Sequence, residues 1–151
     1  MVRTLGPMLR FSFSLDELPA EQMDSETAAY YRLDGTLRLH QGNEAVFAEA
    51  AVPLVEFAVW LSAWWTSHQL AKSYSPDGSD PDYGPMLLLV PAGGTHHCLT
   101  YAWGDTPVIC TAEQAKWKDA VTQFREDLRQ VVLERYQLRL DRLLPPLQPS
   151  S

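Results

Sequence analysis

Leu9, Phe11, Phe13 and Leu15 alternate with Arg10, Ser12 and Ser14, the two-residue period of a half-buried strand. The stretch 19–27 is polar, acidic and without period, so it reads as a connecting loop with room for one helical turn. A second alternating run sets Tyr31, Leu33, Leu37 and Leu39 against Tyr30, Arg32, Asp34, Thr36, Arg38 and His40. Gln41-Gly42-Asn43 then supplies residues that tolerate positive φ, as a tight hairpin requires. The return strand is expected over 44–52. Pro53 suits the first turn of a helix, where its missing amide hydrogen has no helical partner. Beyond it Leu54, Phe57, Ala58, Leu61 and Trp65 mark one face, while Glu56, Trp60 and Trp64 mark another. A helix apolar nearly all round must be covered on more than one side.

After a loop over 73–84, the run 85–90 is short, unbroken and apolar, the pattern of a strand buried on both faces. Ala92-Gly93-Gly94-Thr95 reads as a hairpin turn, 96–103 as its return strand, 104–107 as a further turn and 108–110 as a short strand. Thr111 with Gln114 three residues on has capping-box spacing, and Trp117, Val121, Phe124, Leu128, Val131 and Val132 carry a helical period to about Arg135. Leu138, Leu140, Leu143 and Leu144 follow, and residues 145–151 are expected to fray. The order β-β-β-α-β-β-β-α predicts one α+β domain over 1–151. Its core is a mainly antiparallel, curved sheet of about five or six strands with helices on one face.

Composition narrows the class. The 151 residues are 46% hydrophobic and 21% charged, with five Trp, which excludes disorder, collagen-like repeats and coiled coils. The net charge of −7 argues against nucleic acid as the partner, because phosphate binding needs a concentrated basic surface. The acidity is local: residues 1–111 hold 13 acids and 5 bases, and residues 112–151 hold 6 acids and 7 bases. No signal peptide is expected, since residues 1–12 hold no continuous apolar run of seven or more, and no membrane span, since Glu49, Pro53 and Glu56 interrupt the most apolar stretch. Two cysteines are too few to replace a core, so Cys98 and Cys110 are read as reduced in a cytoplasmic protein.

Chemical motifs are sparse. The sequence contains no phosphate-binding glycine loop, nucleophile elbow, H-E-x-x-H helix or paired-cysteine zinc spacing, so no catalytic residue and no cofactor is assigned. The strongest metal candidate is His96-His97-Cys98 with Cys110 one hairpin away and His40 as a distant fourth ligand. Along a strand His96 and Cys98 share one face and His97 takes the other, and a strand with a buried Cys and solvated histidines is the simpler reading. Asp77, Asp80 and Asp82 lack calcium-loop spacing but suit electrostatic steering of a basic partner. Glu56 is an acid inside an apolar helix. It is either favoured by the helix dipole or a functional carboxyl of a small enzyme that also uses His96 and Cys98. Trp60, Trp64 and Trp65 cannot all face one sheet, because adjacent helical positions diverge by about 100°. Trp60 and Trp64 are therefore core or contact residues.

The run from Tyr30 to Trp65, with Leu33-Asp34-Gly35-Thr36-Leu37, Gly42-Asn43-Glu44 and Val52-Pro53-Leu54-Val55-Glu56-Phe57, resembles small uncharacterised bacterial α+β proteins, some with the layout of immunity proteins of toxin systems. That resemblance implies a compact cytoplasmic bacterial protein, and it carries no active-site residues. The leading expectation is protein binding through an acidic surface at Glu56, Trp60, Trp64, Asp77, Asp80 and Asp82. The alternatives are the small metal-dependent or ligand-binding enzyme and a homodimer joined through the Trp face or the Leu-rich tail.

Overall fold

The computed structural model describes residues 8–66, 72–76, 79–103 and 108–147. Strand β1 (Leu9–Leu15) pairs antiparallel with β2 (Asp34–Gln41) in unbroken register, from Leu9 opposite Gln41 to Leu15 opposite Gly35. The period of two puts Phe11, Leu37 and Leu39 on one buried face. Between these strands lies a helix, α1 (Glu26–Arg32), where the sequence pattern suggested a loop running into a strand. Ser25 caps it by accepting a hydrogen bond from the Ala28 amide at 3.1 Å. Ala29 and Leu33, four apart, are its buried contacts.

Strand β3 (Glu44–Pro53) has ten residues against eight in β2, and the difference is absorbed by register shifts between Gly35 and Leu37 and between Leu39 and His40. Ala51, inside the first irregularity, has φ 57. Such insertions twist and bend a strand and interrupt the hydrogen-bonding rhythm of its edges. The consequence corrects the single-sheet expectation. β1, β2 and β3 form one antiparallel sheet, and β4 (Lys72–Tyr74), β5 (Leu87–Pro91), β6 (His96–Tyr101) and β7 (Val108–Glu113) form another, in that order.

Helices α2 (Leu54–Thr66) and α3 (Gln114–Tyr136) pack against each other and against strands of both sheets. Phe11 of β1 meets Phe57 of α2 and Phe124 of α3 at ring separations of 5.5 and 5.7 Å. Trp117 of α3 donates its indole N–H to the His97 carbonyl of β6 at 3.0 Å. The all-round apolar character of α2 is thereby used: α1, α3, the first sheet and β4 each cover part of it. Helix α3 starts two residues later than its capping-box spacing suggested, because residues 111–113 continue β7, with His96 opposite Glu113. A ladder with β6 outweighs a local cap.

The tail is held by α3. Leu140 and Leu144 are fully buried, Arg129 Nη2 meets Asp141 at 3.1 Å, and buried Arg125 donates to the Pro145 carbonyl. Glu26 accepts from the backbone N–H groups of Arg142 and Leu143 at 2.9 and 3.1 Å. Residues 145–147, the start of the stretch expected to fray, lie against this core through half-buried Leu147; residues 148–151 lie outside the described residues.

Gly35 marks a close approach of three segments of the chain. A Cβ there would stand 2.2 Å from the Ser14 carbonyl oxygen and 2.8 Å from Leu54 Cδ1. Gly35→Ala is therefore expected to cost at least about 2 kcal/mol, since overpacking against backbone leaves no rotamer free to yield. A urea denaturation midpoint equal to that of the wild type would contradict this packing.

Candidate functional site

The two sheets meet where β3 approaches β6 and β7. Side chains make this seam: Gln41 Nε2 donates to the Thr111 carbonyl at 3.3 Å, and the rings of Phe47 and Tyr101 stack with centroids 4.7 Å apart and planes within 5°. Glu49 stands opposite Leu37 and so shares the inward face of β3. A half-buried carboxylate on an apolar face is costly unless hydrogen-bonded, and the Tyr101 hydroxyl donates to it. Burial, and after it the Glu49 carboxylate, hold the Tyr101 phenol well above its ordinary range.

Beside the seam opens a cleft of about 580 Å³ lined by Glu49, Ser79, Asp80, Tyr83, Ala102 and Trp103. The loop between β4 and β5 forms its outer wall. The Asp80 carboxylate accepts from the Asp82 amide at 2.9 Å, its carbonyl accepts from the Tyr83 amide at 3.0 Å, and 81–83 complete a short 3₁₀ turn. Gly84 follows with φ 70, a backbone state that side-chain-bearing residues rarely adopt, and its carbonyl accepts from Trp103 Nε1 at 3.2 Å. That bond fixes the indole, and Tyr83 meets it edge-on at 6.4 Å while remaining 73% exposed. Two carboxylates and two aromatic rings thus surround one opening, and among the described residues no basic side chain lines it.

The sequence-derived candidates divide. Asp80 lines the cleft, Asp82 is exposed in the same turn, and Asp77 lies outside the described residues. Trp64 is fully buried, with its ring 5.3 Å from that of His97, so it belongs to the core and offers no contact surface. Trp60 is half-buried against Phe57 and Tyr74. Glu56, 9% exposed, sits in the first turn of α2 beside Tyr74. Burial, and after it the Glu56 carboxylate, raise the Tyr74 phenol far above its ordinary range. Glu49, Tyr83 and Trp103 were not singled out from sequence. The one local signal was an aromatic closing an acidic loop, at Tyr83.

The residues of the enzyme alternative are not brought together. Trp64 is the α2 residue beside β6, and Glu56 lies eight positions earlier, about 12 Å along the axis. Cys110 pairs with Leu99 and shares its buried face, whereas Cys98 lies on the opposite face with His96. Burial, and after it Cys98, push the Cys110 thiol up to about 11. His40 is engaged elsewhere, 2.8 Å from Ser12 Oγ. Among the described residues, no three His, Cys, Asp or Glu side chains are grouped to hold a metal ion. Among them, too, no helix is long and apolar enough to cross a membrane.

The raised Tyr101 phenol gives a pH signature. The folded chain keeps this proton above the ordinary value of 10.0, so its stabilising effect is complete below that pH. The effect is lost as pH rises, because the unfolded chain then releases the proton first. Urea unfolding at pH 8 and pH 11 is expected to show a smaller alkaline loss of stability for Tyr101→Phe than for the wild type. Equal losses would place the phenol in water.

No curated protein and no solved structure matches the chain. One family model does, over residues 11–134, from Phe11 in β1 almost to the end of α3. That span takes in both sheets except Leu9 and Arg10, the seam and every residue named as lining the cleft, and leaves the α3-held tail beyond it. The chain belongs to the family described as a domain of unknown function, DUF7878.

Proposed function

We propose that the protein acts by binding another protein, and that the cleft at the seam seats a basic side chain of that partner. The observation that carries this reading is the placement of Tyr83, exposed beside Trp103, at an opening that Glu49 and Asp80 line with their carboxylates. A lysine ammonium or arginine guanidinium fits such a lining twice over. Aromatic faces attract cations, by about 0.5–2 kcal/mol according to desolvation, and carboxylates form charge-assisted hydrogen bonds with them. The hydrogen bonds from Tyr101 to Glu49 and from Trp103 to Gly84 hold two of the four groups in place before any partner arrives. Preorganisation of that kind lowers the ordering cost of association.

The acidic excess of residues 1–111 extends the same preference over distance, by steering a basic partner toward the opening. A protein partner also fits the immunity-like layout that the run from Tyr30 to Trp65 resembles. A second pocket, of about 470 Å³ beside α1, supports no comparable reading, because its carboxylate, Glu26, is already committed to the backbone of the tail.

Capture from lysate on immobilised protein tests the proposal. The wild type is expected to retain a basic protein at low salt and lose it at high salt, and a Glu49→Gln, Asp80→Asn, Tyr83→Ala triple variant is expected to retain none. Neutralising Asp80 alone should slow association more than it speeds dissociation. A partner held equally well by the triple variant, or none recovered by the wild type, would overturn it.

A further inference from the structure

The pocket beside α1, which is no seat for a lone cation, carries both signs of charge. One wall is α1 itself. Residues four apart share a row on a helix, so Glu26 stands with Tyr30 and Thr27 with Tyr31, while Ser25 lies just before them. The rings of Tyr30 and Tyr31 meet edge-on at 5.0 Å, and Tyr31 is 63% exposed. The other wall is Arg142 and Leu143, in the turn of the tail. Buried Leu140 and Leu144 anchor that turn on either side. Glu26 Oε1 accepts both of its amides, from Arg142 at 2.9 Å and from Leu143 at 3.1 Å. Two walls 116 residues apart in sequence are thus fixed to each other.

Within these walls the opposite charges do not close on each other. Among the described residues lining the pocket the ionic ones are Glu26 and Arg142, and neither takes part in an ion pair. Arg142 meets Glu26 through its backbone N–H, and no bond to another described residue occupies its exposed guanidinium. Glu26 keeps Oε2, too little to hold a cation alone and beside an arginine that repels one. A plain anion would meet the carboxylate instead. The pair therefore selects a group that carries both charges. Ser25 Oγ accepts from the Ala28 amide, so its own hydrogen remains for a ligand. The volume of about 470 Å³ lies within the about 300–1,000 Å³ of small-molecule sites.

We propose that this pocket binds a free aromatic α-amino acid. The ligand carboxylate takes the Arg142 guanidinium, in the two-pronged geometry that arginine and carboxylate share. Its ammonium takes Glu26 Oε2, and its ring packs on Tyr30 and Tyr31. A free amino acid carries both charges on one carbon, whereas a residue inside a peptide has lost both. The site is separate from the cleft at the seam and stands whether or not that cleft seats a cation. Its tail wall lies beyond residues 11–134, so a segment outside the family match completes it.

The test follows the backbone amide resonances of the isotope-labelled full chain as L-phenylalanine is added to about 10 mM, a range that reaches the millimolar affinity of a ligand this small. Saturable shifts are expected over 25–31 and at Arg142 and Leu143. N-acetylphenylalanine lacks the ammonium, phenylalanine amide the carboxylate and alanine the ring, so each should bind at least about tenfold more weakly. Arg142→Gln keeps the backbone N–H that Glu26 accepts and should weaken phenylalanine by the same factor. Three results would overturn the proposal: no saturable shift at these residues, blocked compounds that bind as tightly as phenylalanine, or an Arg142→Gln variant that binds like the wild type. The blocked compounds act on the wild type, so they decide the matter even if the variant loses its tail contacts.

Discussion

The bulged strand β3 is the constraint on which the rest of the structure depends. Two extra residues relative to β2 break the regular edge that would have continued pairing, so the first sheet ends there and the second begins without a shared ladder. What joins them is a short set of side-chain contacts, Phe47 on Tyr101, Tyr101 to Glu49 and Gln41 to the Thr111 carbonyl. The helices then hold the halves together from one core, with Phe11, Phe57 and Phe124 packed on the first sheet, and Trp64 and Trp117 meeting His97 on the second.

The proposed binding site follows from the same break. A continuous sheet would bury Glu49 among ladder neighbours, whereas a seam leaves it half-buried and aimed at an opening. Tyr101 meets the electrostatic cost of the carboxylate, and the loop between β4 and β5 brings Asp80 and Tyr83 to the same place. The cleft is therefore a product of tertiary arrangement. Its members come from β3, from that loop and from the residues just after β6, and no local segment contains more than half of them.

Local signals in the sequence report local structure well here. β1 occupies the span its alternation marks, and α2 is buried on several sides as its all-round apolar pattern requires. Helix α1 was hidden because Tyr31 and Leu33 alternate like a strand, while the decisive spacing was that of Ala29 and Leu33 behind a Ser25 cap. The bulges were not legible, since neither Ala50 nor Ala51 advertises a positive φ as glycine or asparagine would. The acids of the cleft loop could be read off directly. Their company could not: Glu49 and Tyr101 are 52 residues apart and are brought together by the seam alone.

The central claim is that this seam creates a preorganised seat for a cation. It is tested most directly by following the indole N–H and backbone amide resonances of the protein while blocked arginine amide is added, with blocked glutamate amide as the matched control. The account predicts shifts at Trp103, Tyr83 and Glu49 with the arginine compound, reduced by salt and absent with the glutamate compound. Shifts confined to another surface, or equal responses to both compounds, would contradict it.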